Sequence, residues 1–225
     1  MIRVAVTTDR FAEAAETFHR VGLAPVWLPC IRIEPAAEDV LAEAREAASI
    51  ADLVLISSVR TLDVLWDKRA MPAVAVAAVG ESTAAAVTAR GGRVVIVGRA
   101  GLADLVERAA GHLGSARVVF PHAAGSDPLA LEQLLASATN LRMFEVYRTV
   151  PVAPALTPVQ AAAFASPSAV EGWLLSRDLD GLVIGVIGAT TWDAVARHRL
   201  PDVVAPHPQN QALADAMASY LEVTV

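Results

Sequence analysis

Short runs of aliphatic residues recur along the chain at Arg3 to Thr8, Asp52 to Ser58, Ala73 to Gly80, Arg93 to Gly98, Ala116 to Pro121, Leu141 to Tyr147, Ala161 to Ser166, Leu182 to Gly188 and Asp202 to Pro206. Most are apolar at consecutive positions rather than at every second one, the pattern of strands covered on both faces. Between most of them lie segments rich in Ala, Leu and Glu at helical spacing, such as FAEAAETFHRVG and LADLVERAAGHLG, each closing near a Gly that can end a helix. Strand, helix, strand in that order predicts an α/β fold with parallel sheets, right-handed crossovers and helices on both faces.

The pattern repeats. LISSVRTLDVL (Leu55 to Leu65) and AFASPSAVEGWL (Ala163 to Leu174) both read as a strand ending in a serine that opens a helix. AVGESTAAAVT (Ala78 to Thr88) and VIGATTWDAVA (Val186 to Ala196) both read as a strand, a glycine and a helix start. Ser58 and Gly80 are 22 residues apart, as are Ser166 and Gly188, and a threonine follows each glycine by three, at Thr83 and Thr191. VAVTTDRFAEAAETFHRVG and VVFPHAAGSDPLALEQLLA form a weaker third match. The ordered set predicts two similar α/β domains.

Composition narrows the function classes. The 225 residues are 55% hydrophobic with a mean hydropathy of +0.47, yet no apolar run approaches the ~20 residues of a spanning helix. No leader is expected, because Met1 runs straight into a strand-like segment. The single cysteine, Cys30, allows neither an intramolecular disulfide nor a cysteine-based zinc site, and a cytoplasmic location is expected. A net charge of -6 argues against nucleic-acid binding, and means that an anionic ligand would have to be held by local donors. GRAG (Gly98 to Gly101) lacks the third glycine and the acidic residue of a dinucleotide fingerprint. No metal cluster, no Ser/His/Asp set and no phosphate loop is evident, so no metal or cofactor is expected.

Taken in order, VTT, LISS, AVGESTAAAV with ARGGRVV, FPHAAGSDPLALEQLL, VYRTVPV, FASPSAV, IGATTWDAV and PHPQNQALADAM resemble the uroporphyrinogen-III synthase family over essentially the whole chain. The resemblance implies a flavodoxin-like three-layer architecture in two domains, a discontinuous one from residues 1–33 and 152–225 and an inserted one from 36–147. A two-stranded linker near 32–35 and 148–152 would join them, with a cleft between. It implies cyclisation of hydroxymethylbilane, a linear tetrapyrrole, to uroporphyrinogen III with loss of water and inversion of the last ring, as a step of heme, siroheme and cobalamin synthesis. The expected protein is a monomer with no membrane partner, in transient contact with the preceding pathway enzyme.

The substrate's hydroxyl leaves readily, so the demand on the protein is to fold a flexible octacarboxylate, and positioning of this kind can be worth ~7–11 kcal/mol. Backbone amides at helix starts, with Ser and Thr hydroxyls, suit carboxylates. Candidate binding residues are therefore Ser58, Gly80, Thr83, Ser166, Ser168, Gly188, Thr190 and Thr191. Each of the hydroxyl residues is equally an ordinary helix cap. The family motif puts a tyrosine at Tyr147, whose phenol, protonated at neutral pH, could assist departure of the hydroxyl; otherwise it packs a domain edge. His122 is a further binding candidate or a solvated loop residue. The tryptophans at 27, 66, 173 and 192 read as packing residues, with Trp192 the one placed to touch a flat ligand.

Two departures stand out. The family's Thr-Arg-Pro after the first strand is TTDR here, so Arg10 is not carried over as a ligand. The stretch from Val152 to Phe164 is too short for the usual helix, which predicts a C-terminal domain with one face thinly covered. They leave two alternatives, a non-catalytic tetrapyrrole-binding or regulatory descendant of the fold, and an unrelated two-lobed protein for a small anion.

Overall fold

The computed structural model describes residues 1–67 and 69–223. The chain opens with β1 (Arg3–Val6), α1 (Phe11–Arg20) and β2 (Ala24–Trp27), then β3 (Ile31–Pro35). It continues through α2 (Glu38–Ser49), β4 (Leu53–Ile56), α3 (Val59–Trp66), β5 (Ala75–Ala78), α4 (Glu81–Ala89), β6 (Arg93–Val97), α5 (Gly101–Leu113), β7 (Arg117–Ala123), α6 (Pro128–Ser137) and β8 (Asn140–Pro151). It closes with β9 (Ala161–Phe164), α7 (Pro167–Leu174), β10 (Val183–Val186), α8 (Ala189–Ala196), β11 (Val203–Val204) and α9 (Asn210–Val223). Two compact units result, Met1–Ile33 with Thr149–Val225, and Glu34–Arg148.

In the first unit the strands lie in the order β11-β10-β9-β1-β2, all parallel. In the second the order is β3-β8-β7-β4-β5-β6, with every pairing from β8 to β6 parallel. Setting β9, β10, β11, β1 and β2 against β4, β5, β6, β7 and β8 makes the two orders identical. Numbered along the chain within its unit, the first sheet reads 2-1-3-4-5, the flavodoxin-like order, and the second 3-2-1-4-5 from the same arrangement entered at a different strand. The α/β class and the parallel sheets are as the sequence predicts.

The apolar runs cover both faces of each sheet because successive side chains alternate. In the first unit Val4, Val6, Ala161 and Ala163 pack against Ala14 and Phe18 of α1 and Leu213 and Met217 of α9. Ala5, Ala162, Phe164, Ile184 and Val186 pack the other way, against Val170 and Trp173 of α7 and Val195 of α8. In the second unit Leu53, Leu55 and Phe120 meet Leu105, Ala109 and Leu113 of α5 and Leu134 of α6. Buried Leu41, Leu62, Leu65 and Val87 line the inner sides of α2, α3 and α4.

A polar clamp sits at the amino end of each sheet's central pair. Asp52 N–H donates to the Arg117 carbonyl (2.9 Å) while Arg117 N–H donates to Asp52 Oδ2 (2.9 Å). Gln160 N–H donates to the Arg3 carbonyl (3.0 Å) while Arg3 N–H donates to Gln160 Oε1 (2.8 Å). These four residues occupy matching places in the two units.

Two features differ from the sequence reading. β2 lies outside the aliphatic runs that mark the other strands: APVW is short, contains Pro25 and ends on half-exposed Trp27, and it survives because it is an edge strand, where a proline's missing N–H costs no ladder bond. Residues 152–160 hold no helix, as their length predicts, but the sheet face is not thinly covered. Ala162, Phe164 and Trp173 are fully buried. The seal comes from Gly172, inside α7, which lets the helix press on the segment around Cys30 and Val152. A Cβ there would lie 1.9 Å from the Cys30 carbonyl oxygen and 2.8 Å from that of Val152.

Candidate functional site

In a parallel sheet every strand ends on the same edge, and the loops leaving that edge start the helices that follow. The repeated turns all fall there. Ser58 is the N-cap of α3 (φ -161°, ψ 144°), its Oγ accepting from Arg60 N–H at 3.1 Å. Ser166 is the N-cap of α7 (φ -161°, ψ 156°), its Oγ accepting from Ala169 N–H at 3.3 Å, with Pro167 at the first helical position. The two serines thus do cap, and at nearly the same backbone angles.

Gly80 and Gly188 are the N-caps of α4 and α8, both fully extended (φ -175°, ψ 174° and φ 177°, ψ -177°), and neither start has a side-chain cap. Extended backbone suits any residue, so torsion does not require glycine. Crowding does not either: a Cβ on Gly80 would meet nothing within 4 Å, and one on Gly188 only Pro208 Cβ at 4.0 Å. What the glycines provide is open space in front of amides that precede the first intrahelical bonds, Ala84 N–H to the Gly80 carbonyl and Trp192 N–H to that of Gly188, both 2.9 Å.

The helix starts can therefore be sorted by what already occupies them. Asp127 Oδ1 accepts from Leu129 N–H at α6 (3.0 Å). At α5, Asp104 Oδ2 accepts from Arg99 N–H (2.6 Å) and its carboxyl is held below the usual range, first by that backbone bond and further by Arg108. α3 and α7 have their serines. α4 has a bare glycine but carries Glu81 in its first turn. α8 has a bare glycine and no acidic residue in its first turn, which makes it the most open to an anion of these six starts.

The hydroxyls divide. Thr83 and Thr191 are 3% and 1% exposed and face the interior, so their side chains are core and cap-adjacent packing. Thr190 is exposed and Ser168 half-buried, on the open side of the helix starts. In the second unit Tyr147, 5% exposed, lies late in β8 and pairs with Ala123 just past an irregularity in the β7–β8 register; its carbonyl accepts from Ala124 N–H at 2.8 Å. Half-buried His122 stacks on Phe120 (5.1 Å, 23°) and its Nδ1–H donates to the Ala123 carbonyl at 2.9 Å, which leaves Nε2 outside that bond.

Trp66 and Trp173 are core residues, 3% and 0% exposed, but Trp27 and Trp192 are 52% and 37% exposed, against the packing role the sequence suggests for Trp27. Cys30 is fully buried, its Sγ donating to the Leu28 carbonyl at 3.3 Å; burial pushes its thiol up to about 12, opposed only in part by Arg177. Among the described residues no three His, Cys, Asp or Glu side chains are grouped to hold a metal ion, and no helix is long and apolar enough to cross a membrane.

One parallel-sheet plan used twice, with a bare glycine helix start at the carboxyl edge of each sheet, defines a two-unit α/β protein. The family model described as HEM4, uroporphyrinogen-III synthase HemD, matches residues 12–215, and the chain belongs to that family. Uroporphyrinogen-III synthetase from Helicobacter pylori superposes with a TM-score of 0.69 at 15% identity, over 97% of this chain and 98% of that one. A mutant uroporphyrinogen III synthase from Thermus thermophilus superposes at 0.60 with 18% identity, over 99% and 100%. A search of curated protein sequences gave no match.

Proposed function

We propose that the protein is a uroporphyrinogen-III synthase, closing hydroxymethylbilane to uroporphyrinogen III with loss of water and inversion of the last ring. The observation that carries the reading is the bare Gly188 start of α8, repeated at Gly80 on α4, in a chain of this family. The substrate's carboxylates would sit on these amides, with Thr190, Ser168, Ser58 and Ser166 at their margins. Residues 1–33 with 152–225 and residues 36–147 would be the two lobes, and 32–35 with 148–152 their linker. Thr83 and Thr191 would act by fixing the helix starts rather than by touching substrate.

Loss of the terminal hydroxyl from the first ring needs a proton for the departing oxygen and leaves an electron-poor methylene carbon that the last ring attacks as it inverts, the proton released on closure balancing the one spent on water. Tyr147 would supply a hydrogen bond to the departing oxygen, and His122 Nε2 would accept one from substrate. The protein would act as a monomer in the cytoplasm, without a cofactor. The test is to give the protein fresh hydroxymethylbilane and resolve the isomers of the oxidised product. Uroporphyrin III above the spontaneous isomer I background is expected, and isomer I alone would sink the reading. Tyr147→Phe should slow turnover without unfolding the protein; an unchanged rate removes Tyr147 from the chemistry.

A further inference from the structure

At the carboxyl end of β2, Trp27 and Phe11 stack with ring centroids 5.9 Å apart and planes at 25°. The indole is fixed in place: Nε1–H donates to the Thr8 carbonyl at 3.1 Å, which ties the end of edge strand β2 to the loop after β1. Trp27 is nonetheless 52% exposed, while Phe11 is half-buried. An indole that only needed burial would not be pinned with its ring half in water. The pair borders an open recess of about 530 Å³, whose other walls are Asp9, Arg10, Ala12 and Glu13. Arg10 Nη2 lies 3.4 Å from Glu13 Oε2, with the side chains 41% and 68% exposed, a surface pair of the kind that contributes little and exchanges readily. Asp9 Oδ1 takes the Thr8 hydroxyl at 3.2 Å.

We propose that Trp27, backed by Phe11, is a stacking platform for one pyrrole ring of the linear tetrapyrrole, with Arg10 exchanging Glu13 for a carboxylate arm of that ring. The inference rests on the function proposed above and adds to it a positioning residue that acts through its π-face. An electron-rich five-membered ring with an anionic arm matches a flat aromatic wall beside a guanidinium. The platform lies on the same sheet edge as Gly188 and Ser166, so a chain of rings anchored at α8 by its carboxylates would meet it in extending along that edge. Its effect falls on the selection of a folded bilane, hence on KM and on the isomer formed.

The test compares wild type with Trp27→Phe and Trp27→Leu on hydroxymethylbilane, following KM, kcat and the ratio of isomers III and I, with circular dichroism to verify folding. Phe keeps a π-face and Leu keeps the apolar volume without one. Stacking on an aromatic side chain predicts a roughly tenfold rise in KM and a fall in the III:I ratio for Leu, with Phe close to wild type and kcat changed less than KM. Equal values for all three proteins, or equal losses in Phe and Leu, would overturn the platform while wild-type formation of isomer III leaves the proposed function standing. Isomer I alone from wild type would end both.

Discussion

At the scale of single residues, the two halves of the repeat offer a controlled exchange. Ser58 and Ser166 spend one amide each on a cap, and Gly80 and Gly188 spend none. Serine is a better N-cap than glycine by a few tenths of a kcal/mol, and there is room for it at both glycines. Gly188→Ser should therefore leave the denaturation midpoint unchanged or slightly raised while KM for hydroxymethylbilane rises about tenfold, since a donor to a charged group is worth ~1.5–3 kcal/mol. A KM equal to wild type would show that these amides do not meet the substrate.

The clamp at the other edge of the sheet adds a contribution to stability that depends on pH. Hydrogen bonds from the Arg117 side chain, then its backbone, hold the Asp52 carboxyl down at about 2 against an ordinary 3.8. Because the folded value is the lower one, the contribution is complete above pH ~4 and is lost as pH falls through about 2. Asp52→Asn should be less stable than wild type near neutrality and lose less on acidification, read as urea midpoints between pH 6 and pH 2. Gln160, neutral in the matching place, gives the first unit no such dependence through its own clamp.

At the scale of elements, the repeat was the legible part. Ser58, Ser166, Gly80 and Gly188 stand at strand-to-helix turns that depend on local chemistry, so their spacing reports them directly. The short strand β2 and the exposure of Trp27 depend on which strand lies at the edge and on a carbonyl from the β1–α1 loop, and no local pattern carries either. The inward turn of Thr83 and Thr191 follows from which helix face meets the sheet, which the mixed first turns ESTA and ATTW leave undefined. Gly172 was also silent, since a glycine inside a helix reads only as a defect of about 1 kcal/mol. Its reason is the Cys30 carbonyl pressed against it. Gly172→Ala should lower stability by about 1–3 kcal/mol in urea titration despite the better helix propensity, because the methyl would overlap backbone rather than a side chain that can turn away. A neutral or stabilising result would show that the segment around Cys30 and Val152 shifts freely.

At the scale of the molecule, one sheet plan is realised twice with different chain connectivity. The second unit uses one uninterrupted stretch, whereas the first joins β1 to β9 through paired positions, Val4 and Ala161, that are 157 positions apart. Loop-closure entropy grows only slowly with length, so this costs little in stability. It does make the units unequal in autonomy. A fragment of residues 34–148 should unfold cooperatively by circular dichroism, whereas residues 1–33 and 149–225 should each be unstructured alone and regain structure when mixed. A non-cooperative melt of the 34–148 fragment would count against this division.

The long pairing of β1 with β9 also orders events on the ribosome. Residues 3–20, carrying Val4, Val6 and Phe18 for the core, are made before the second unit yet are among the last to find their partners, because Ala161 and Ala163 do not exist until the whole second unit has been translated. At ~5–20 residues per second that interval is on the order of ten seconds. During it the nascent chain trails a folded middle and a sticky, half-built beginning, a natural target for chaperones that hold exposed apolar segments until translation catches up.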